Sequence, residues 1–353
     1  MLRRSQLAGT SIHSHGILSV TNDGNLRAGE DIHLHGYNSF GGELNASADD
    51  GIHLHGLLTV TGDGNLDAGD DIHLHGNNSF GGDLNADAGD DIYSRGLLAV
   101  GNDGSLVAGD DIRLQGTHTF GGSLFAAVNG DIRSYGDLTV TDSSFMSAGN
   151  DIYMNGQFSS GAWTAIAGDD IRLRGSYNIS TADLRADDEI RIDRSTINSG
   201  NFSAEADFDN NDSGAFKLDR RSSITSTGDM ALSGYGLKIK GTVSAVGNLS
   251  LTDKSTGNLN IQGNFSAGSF IINSAGSVFI QGNFNAPQPS PLTIQGGAIL
   301  SSTGNVNSFN GLTTLAGVGT INLATPTINA GVALTGNGTL NLSNGSVTLL
   351  SNN

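Results

Sequence analysis

Gly51-Ile52-His53-Leu54-His55-Gly56-Leu57-Leu58-Thr59-Val60, continued by Thr61-Gly62-Asp63-Gly64-Asn65-Leu66-Asp67-Ala68-Gly69-Asp70, is one unit of a twenty-residue period. Its hexapeptide reads SIHSHG at 11–16, DIHLHG at 31–36 and 71–76, and GIHLHG at 51–56. It continues as DIYSRG at 91–96, DIRLQG at 111–116, DIRSYG at 131–136 and DIYMNG at 151–156. One residue then drops out twice, giving DIRLRG at 170–175 and EIRIDR at 189–194. A fixed period of this length means one small unit stacked on copies of itself, because the unit cannot cover its own apolar face.

Within the unit, apolar residues recur at every second position in Ile52–His55, Leu58–Thr61 and Asn65–Ala68. That is the strand period, and no stretch has the three-to-four spacing of an amphipathic helix. Gly56 and Thr61-Gly62-Asp63-Gly64 supply turn formers between the strands. Three strands and three turns in one period predict a coil of a parallel β-helix. In register, every twentieth residue would lie about 4.8 Å above the last.

The columns then become legible. One is Ile12, Ile32, Ile52, Ile72, Ile92, Ile112, Ile132 and Ile152. A second alternates Val20, Phe40, Val60, Phe80, Val100, Phe120 and Val140. Leu26, Ala46, Leu66, Ala86, Leu106 and Ala126 alternate in a third, while Gly24, Leu44, Gly64, Leu84, Gly104 and Leu124 alternate oppositely in a fourth. Large faces small between adjacent coils, so the true repeat is forty residues and the narrow core fills without voids. Asn38, Asn78 and His118 replace Leu18, Leu58 and Leu98 in a fifth column. They are expected at a corner, bonded to turn backbone, rather than deep in the core.

The chain has 353 residues, 52 Gly, no Cys and a formal charge of −18. High Gly and low aromatic content favour disorder, but the ordered columns argue against it. The acid excess disfavours nucleic acid as a partner. No apolar run approaches membrane-spanning length. Met1-Leu2-Arg3-Arg4 precedes no apolar signal core. Absent cysteine excludes a disulfide framework and suits a chain that crosses an export pore unfolded.

Three regions are expected: a regular array over 1–200, a polar insertion over 201–225 and coils of looser period over 226–353. In the last, Ile261-Gln262-Gly263-Asn264-Phe265 returns as Ile280-Gln281-Gly282-Asn283-Phe284. Ala286-Pro287-Gln288-Pro289-Ser290-Pro291 reads as a loop. Neither end shows a polar cap, so the natural protein is expected to be longer than this chain.

Ala-Gly-Asp-Asp-Ile at 68–72, 88–92 and 108–112, with Gly-Gly-x-Leu-x-Ala at 41–46 and 81–86, resembles the repeats of filamentous haemagglutinin. The chain is similar to the stalks of two-partner-secretion adhesins and contact-dependent inhibition exoproteins of Gram-negative bacteria. The resemblance covers 8–200, and in style 226–353. It implies a right-handed parallel β-helix exported to the cell surface, with adhesive, biofilm or toxin-delivery roles. The implied partners are a host or bacterial cell-surface glycan or protein receptor, and an outer-membrane transporter for export. The amino-terminal secretion domain of that family is not recognisable, and no globular toxin follows the repeats.

Several outward columns carry chemistry. His13, His33, His53, His73 and His15, His35, His55, His75 form a grid of imidazoles, candidate ligands for a surface-bound divalent metal or a pH-dependent face. The simpler reading is duplication of an exposed stacking side chain. Beyond it, Arg95, Arg113, Arg133, Arg172, Arg174 and Arg191 offer guanidinium groups to a sulfated or anionic glycan. Ion pairing with nearby acids is the competing and weightier reading.

The acids form a ladder: Asp70, Asp71, Asp90, Asp91, Asp110, Asp111, Asp131, Asp151, Asp169 and Asp170. Repulsion between them needs relief, by turn N–H groups as the default, by Arg, or by Ca²⁺. Asp207, Asp209, Asn211 and Ser213 resemble half of a calcium loop, but Arg220 stands where a bidentate Glu belongs. Ser19, Ser39, Thr59, Ser79, Thr119, Thr139 and Ser159 make one outward hydroxyl column, broken by Ala99, that suggests ice binding only as a remote reading. No Ser-His-Asp arrangement, phosphate loop or closed metal spacing is present, so neither an enzyme activity nor a required cofactor is expected. The rival reading is a polysaccharide-binding or cleaving β-helix of phage-tail or secreted type.

Overall fold

A computed structural model describes residues 4–7, 9–257 and 259–274, and beyond them the backbone of strands from Val278–Ile280 to Ser346–Val347. The 286–291 loop and both chain ends, on which the capping expectation rests, lie outside the described residues. The described residues contain strands, turns and bends and no helix. The chain divides into two compact units, Met1–Gly168 and Asp169–Asn353. Each is a parallel β-solenoid.

In the first unit a long strand alternates with a short one. Ile52–Val60 has nine residues and Gly64–Ala68 has five. Each pairs in parallel with its equivalents one coil away, Ile52 with Ile32 and Ile72, and Leu66 with Ala46 and Ala86. Hydrogen bonds carry the stacking through the turns, as from Asp70 N to Asp50 O at 2.9 Å. The two expected strands of the hexapeptide side are thus one strand, bent at a glycine corner.

Gly56 makes that corner with a φ of 119°, a conformation that L side chains rarely adopt. Its Cβ position is also closed, because an added carbon would stand 2.4 Å from Gly36 O. The same geometry sets the hexapeptide glycine from Gly36 to Gly156, whereas in the last of these repeats Arg194 takes its place with a φ of 51°. Where the period loses a residue, register shifts inside one sixteen-residue strand, Ile152–Ala167. Thr139 pairs with Ser159, but Ser143 pairs with Ala162. The loss removes a turn residue and leaves the core columns aligned.

The isoleucine column from Ile12 to Ile152 is 0–3 % exposed. Phe40, Phe80, Phe120, Leu44, Leu84 and Leu124 are also buried. Each fully buried side chain of this size contributes about 1.5–3 kcal/mol relative to exposure. Asn78 and His118, however, are each only 1 % exposed, so the expected corner placement is corrected. The Asn38 and Asn78 amides do reach corner backbone, donating to His35 O and His75 O at 3.5 Å. They do so from inside the coil, because their column alternates with the buried Leu58 and Leu98.

In the second unit, Thr196–Ala206 pairs with Ser223–Ser226 and Met230–Gly234. The polar stretch 207–215 leaves the coil between Ala206 and Phe216, which lengthens that coil without breaking it. Looser coils follow, with Met230 paired to Leu249 and Leu249 to Phe270.

Candidate functional site

Strand alternation turns the hexapeptide histidines outward while Ile52 and Leu54 face in. Along each column the rings lie 4.6–5.0 Å apart, and across the two columns 5.4–6.1 Å. All eight predicted histidines are thus brought into one grid. His13, His33 and His53 stack nearly parallel, but His73 meets His53 edge-on at 80°. Tyr93 then packs edge-on against His73 and His75.

Four of these histidines resist protonation. Burial lowers the pKa values of His33, His53 and His75 below that of free imidazole. For His55 burial, reinforced by the like charges of His75 and His35, pushes it down to about 4. Neutral imidazoles keep a lone pair for a metal. Among the described residues, one group of three His or acidic side chains has its donor atoms within 4.8 Å of one another: Asp31, His33 and His53.

In one of the two aspartate columns the carboxylates are relieved by backbone N–H groups, as the default reading expects. Asp71, Asp91, Asp111 and Asp131 each accept, through Oδ1, the backbone N–H of the aspartate one coil on, at 2.7–3.1 Å. Asp31 accepts that of Gly51 at 3.1 Å, and Asp170 that of Glu189 at 2.9 Å. Arg133 adds ion pairs to Asp111, at 2.9 Å, and to Asp131.

The arginines divide. Arg113 lies between two rings, 5.6 Å from the centre of Tyr93 and 5.3 Å from that of Tyr135. In the second unit Arg172 pairs with Asp170 and Arg191 with Asp193. No carboxylate is within ion-pair distance of Arg95 or Arg174 among the described residues. Register extends the cationic column from Arg172 and Arg191 to Lys217 and Lys238. The 207–215 insertion hides this continuation in the sequence by lengthening the period.

The 207–213 loop is internally bonded. Asn211 N donates to Asp209 Oδ1 at 3.3 Å, and Ser213 N to Asn211 Oδ1 at 3.0 Å. Lys254 supplies the cation there. Its Nζ lies 2.6 Å from Asp207 O, 2.9 Å from Asn210 Oδ1 and 3.1 Å from Glu205 Oε1. An ammonium group thus faces the carboxylate of Asp207, which the calcium reading assigned to a metal, at 3.8 Å.

An unexpected feature lies on the third face. Asn45 donates to Asn25, Asn65 to Asn45 and Asn85 to Asn65, at 2.9–3.3 Å. This amide ladder was readable as Asn at a strict twenty-residue spacing. With Arg27, Asp67 and Asp87 it lines a shallow groove of about 660 Å³. Each internal amide keeps one N–H and one lone pair beyond the ladder bonds.

Residues 36–87 and 75–127 match a family described as repeats of unknown function (DUF5649). The two matches start close to two coils apart, in keeping with the forty-residue unit. No curated protein and no solved structure matches the chain. The chain is a repeat protein built as a β-solenoid.

Proposed function

We propose that the chain is a structural and adhesive segment of a surface filament secreted by a Gram-negative bacterium. It works by binding and not by catalysis. The observation that carries this reading is the division of labour within each strand. Inward residues stay constant from Ile72 to Ile92 to Ile112, while their outward neighbours change from His73 to Tyr93 to Arg113 in unbroken register. A scaffold of this kind holds its shape and leaves its faces free to diversify toward a glycan or protein receptor. Export as an unfolded chain through an outer-membrane transporter suits a sequence without cysteine.

The groove along Asn25, Asn45, Asn65 and Asn85 favours polysaccharide as a second reading, because amide groups bond sugar hydroxyls. The full chain on a glycan array and on intact cells tests both. Retention without released reducing sugar supports adhesion. Release of reducing ends supports the cleaving alternative and overturns the first. Antibodies against the chain should label intact cells of the source organism; label confined to lysed cells overturns the surface assignment.

A further inference from the structure

We infer that Asp31, His33 and His53 form a site for one divalent transition ion, with Zn²⁺ the best match. The column that opens the hexapeptide reads Ser11, Asp31, Gly51, Asp71, and its histidine neighbour reads His13, His33, His53, His73, Tyr93. Only Asp31 has a histidine two residues on in its own coil and another in the next. Asp71 has His73, but the next coil offers Tyr93. Ser11 and Gly51 lack a carboxylate.

The geometry agrees. Asp31 Oδ2 lies 3.6 Å from His33 Nε2, and Asp31 Oδ1 lies 3.9 Å from His53 Nε2. A tetrahedral ion reaching its ligands at about 2.0–2.2 Å holds them about 3.3–3.6 Å apart. All three donor atoms already lie within 4.8 Å of one another, so small side-chain rotations would close them onto one ion.

Gly51 is the independent sign that the space is kept open. It interrupts the aspartate column where a side chain would close the site. A Cβ there would stand 2.7 Å from His53 Nε2 and 3.3 Å from Asp31 Oδ1. Gly51 N also donates to Asp31 Oδ1 at 3.1 Å, which orients the carboxylate from behind. The side chains of His33, His53 and Asp31 are 24 %, 21 % and 34 % exposed, so an ion can enter and keep water as a fourth ligand. Two imidazoles, one carboxylate and an open position form a donor set that Zn²⁺ accepts.

Isothermal titration of the full chain with Zn²⁺, after treatment with chelator, tests the assignment. One ion per chain is expected in the strong phase. Asp31→Asn and His53→Gln should each weaken that phase at least tenfold, and Gly51→Ala should weaken it by filling the space. His15→Gln and His75→Gln should leave it unchanged. Co²⁺ in place of Zn²⁺ should give the intense visible bands of a tetrahedral ion, lost in His53→Gln. Far-ultraviolet spectra of the metal-free variants should match the parent, since all three side chains face out. No strong phase, or one lost equally in His15→Gln, overturns the site in favour of general binding by surface histidines.

Discussion

Phe80 lies across Gly64. A Cβ on that glycine would stand 2.3 Å from both Cδ1 and Cε1 of the ring. Phe40 over Gly24 and Phe120 over Gly104 repeat the relationship at 2.3–2.4 Å. The alternation of large and small residues in two separate columns is therefore one device. A phenylalanine in the even coil occupies the room left by a glycine in the odd coil.

Gly64→Ala should therefore destabilise the chain by about 1–3 kcal/mol through overpacking. In a Phe80→Val background, which copies Val60 and Val100, the same change should cost much less. Urea unfolding of the four members of this cycle gives the coupling; additive effects would show that the ring and the glycine are independent.

Ile72 stacks between Ile52 and Ile92 with no exposed surface. Ile72→Asp buries a carboxyl group without a partner and should cost more than about 4 kcal/mol. Loss of the strand-type far-ultraviolet spectrum, or rapid proteolysis of the repeat, is the expected result. Ile72→Val should be tolerated at about 0.5–1.5 kcal/mol.

His118 is buried beside Ser94, with Nε2 and Oγ 3.0 Å apart, and burial pushes its pKa down to about 4. The unfolded chain takes up this proton first as pH falls below 6.5. The stabilising contribution is therefore complete above pH 6.5 and is lost between there and pH 4, by about 3 kcal/mol at 1.36 kcal/mol per unit. The lowered pKa values of His33, His53, His55 and His75 act in the same direction. Burial raises those of Asp91 and Asp188 above 3.8, so their protonation in the folded chain returns some stability as pH falls through the raised values. His118→Leu, which copies its register neighbours Leu98 and Leu138, should flatten the loss in urea titrations run between pH 7 and pH 4.5. An unchanged slope would assign the acid sensitivity to the surface grid.

Asn65 sits in mid-ladder, donating to Asn45 at 2.9 Å and accepting from Asn85 at 3.0 Å. Asn65→Ala should cost about 1–2 kcal/mol, at roughly 1 kcal/mol per hydrogen bond. Asn25, which makes one ladder bond among the described residues, should cost about half as much when changed to Ala. Equal losses would mean that the ladder bonds carry no net stability.

Lys254 reaches back across 47 residues to Asp207, whose side chain is 2 % exposed. Lys254→Met should leave that carboxylate without its cation and cost about 3 kcal/mol, the lower end of the range for a broken buried pair because Lys254 is itself 20 % exposed. Faster proteolytic cleavage within 207–215 is the expected readout. If cleavage there is unchanged, the loop is held by its own turn bonds.

The stacking direction of this fold is legible in one dimension. A strict period makes every in-register neighbour the residue one period away, so Ile52 and Ile72, His33 and His53, and Asn45 and Asn65 could all be paired from the sequence. Burial followed from strand alternation for the same reason. Interactions that do not follow the period were not legible. The ring of Phe80 reaches a glycine sixteen residues earlier across the interior of the coil. Bends such as that at Gly56 join two strands into one, and those at Gly76 and Gly116 carry Asn78 and His118 inside. Lys254 reaches the 207–213 loop only because the insertion folds back beside its coil. The three donors around Gly51 meet because a missing Cβ leaves them room, and the period alone is blind to that space. Translation along the stack was written in the sequence; side-chain directions and corner angles within a coil were decided by packing.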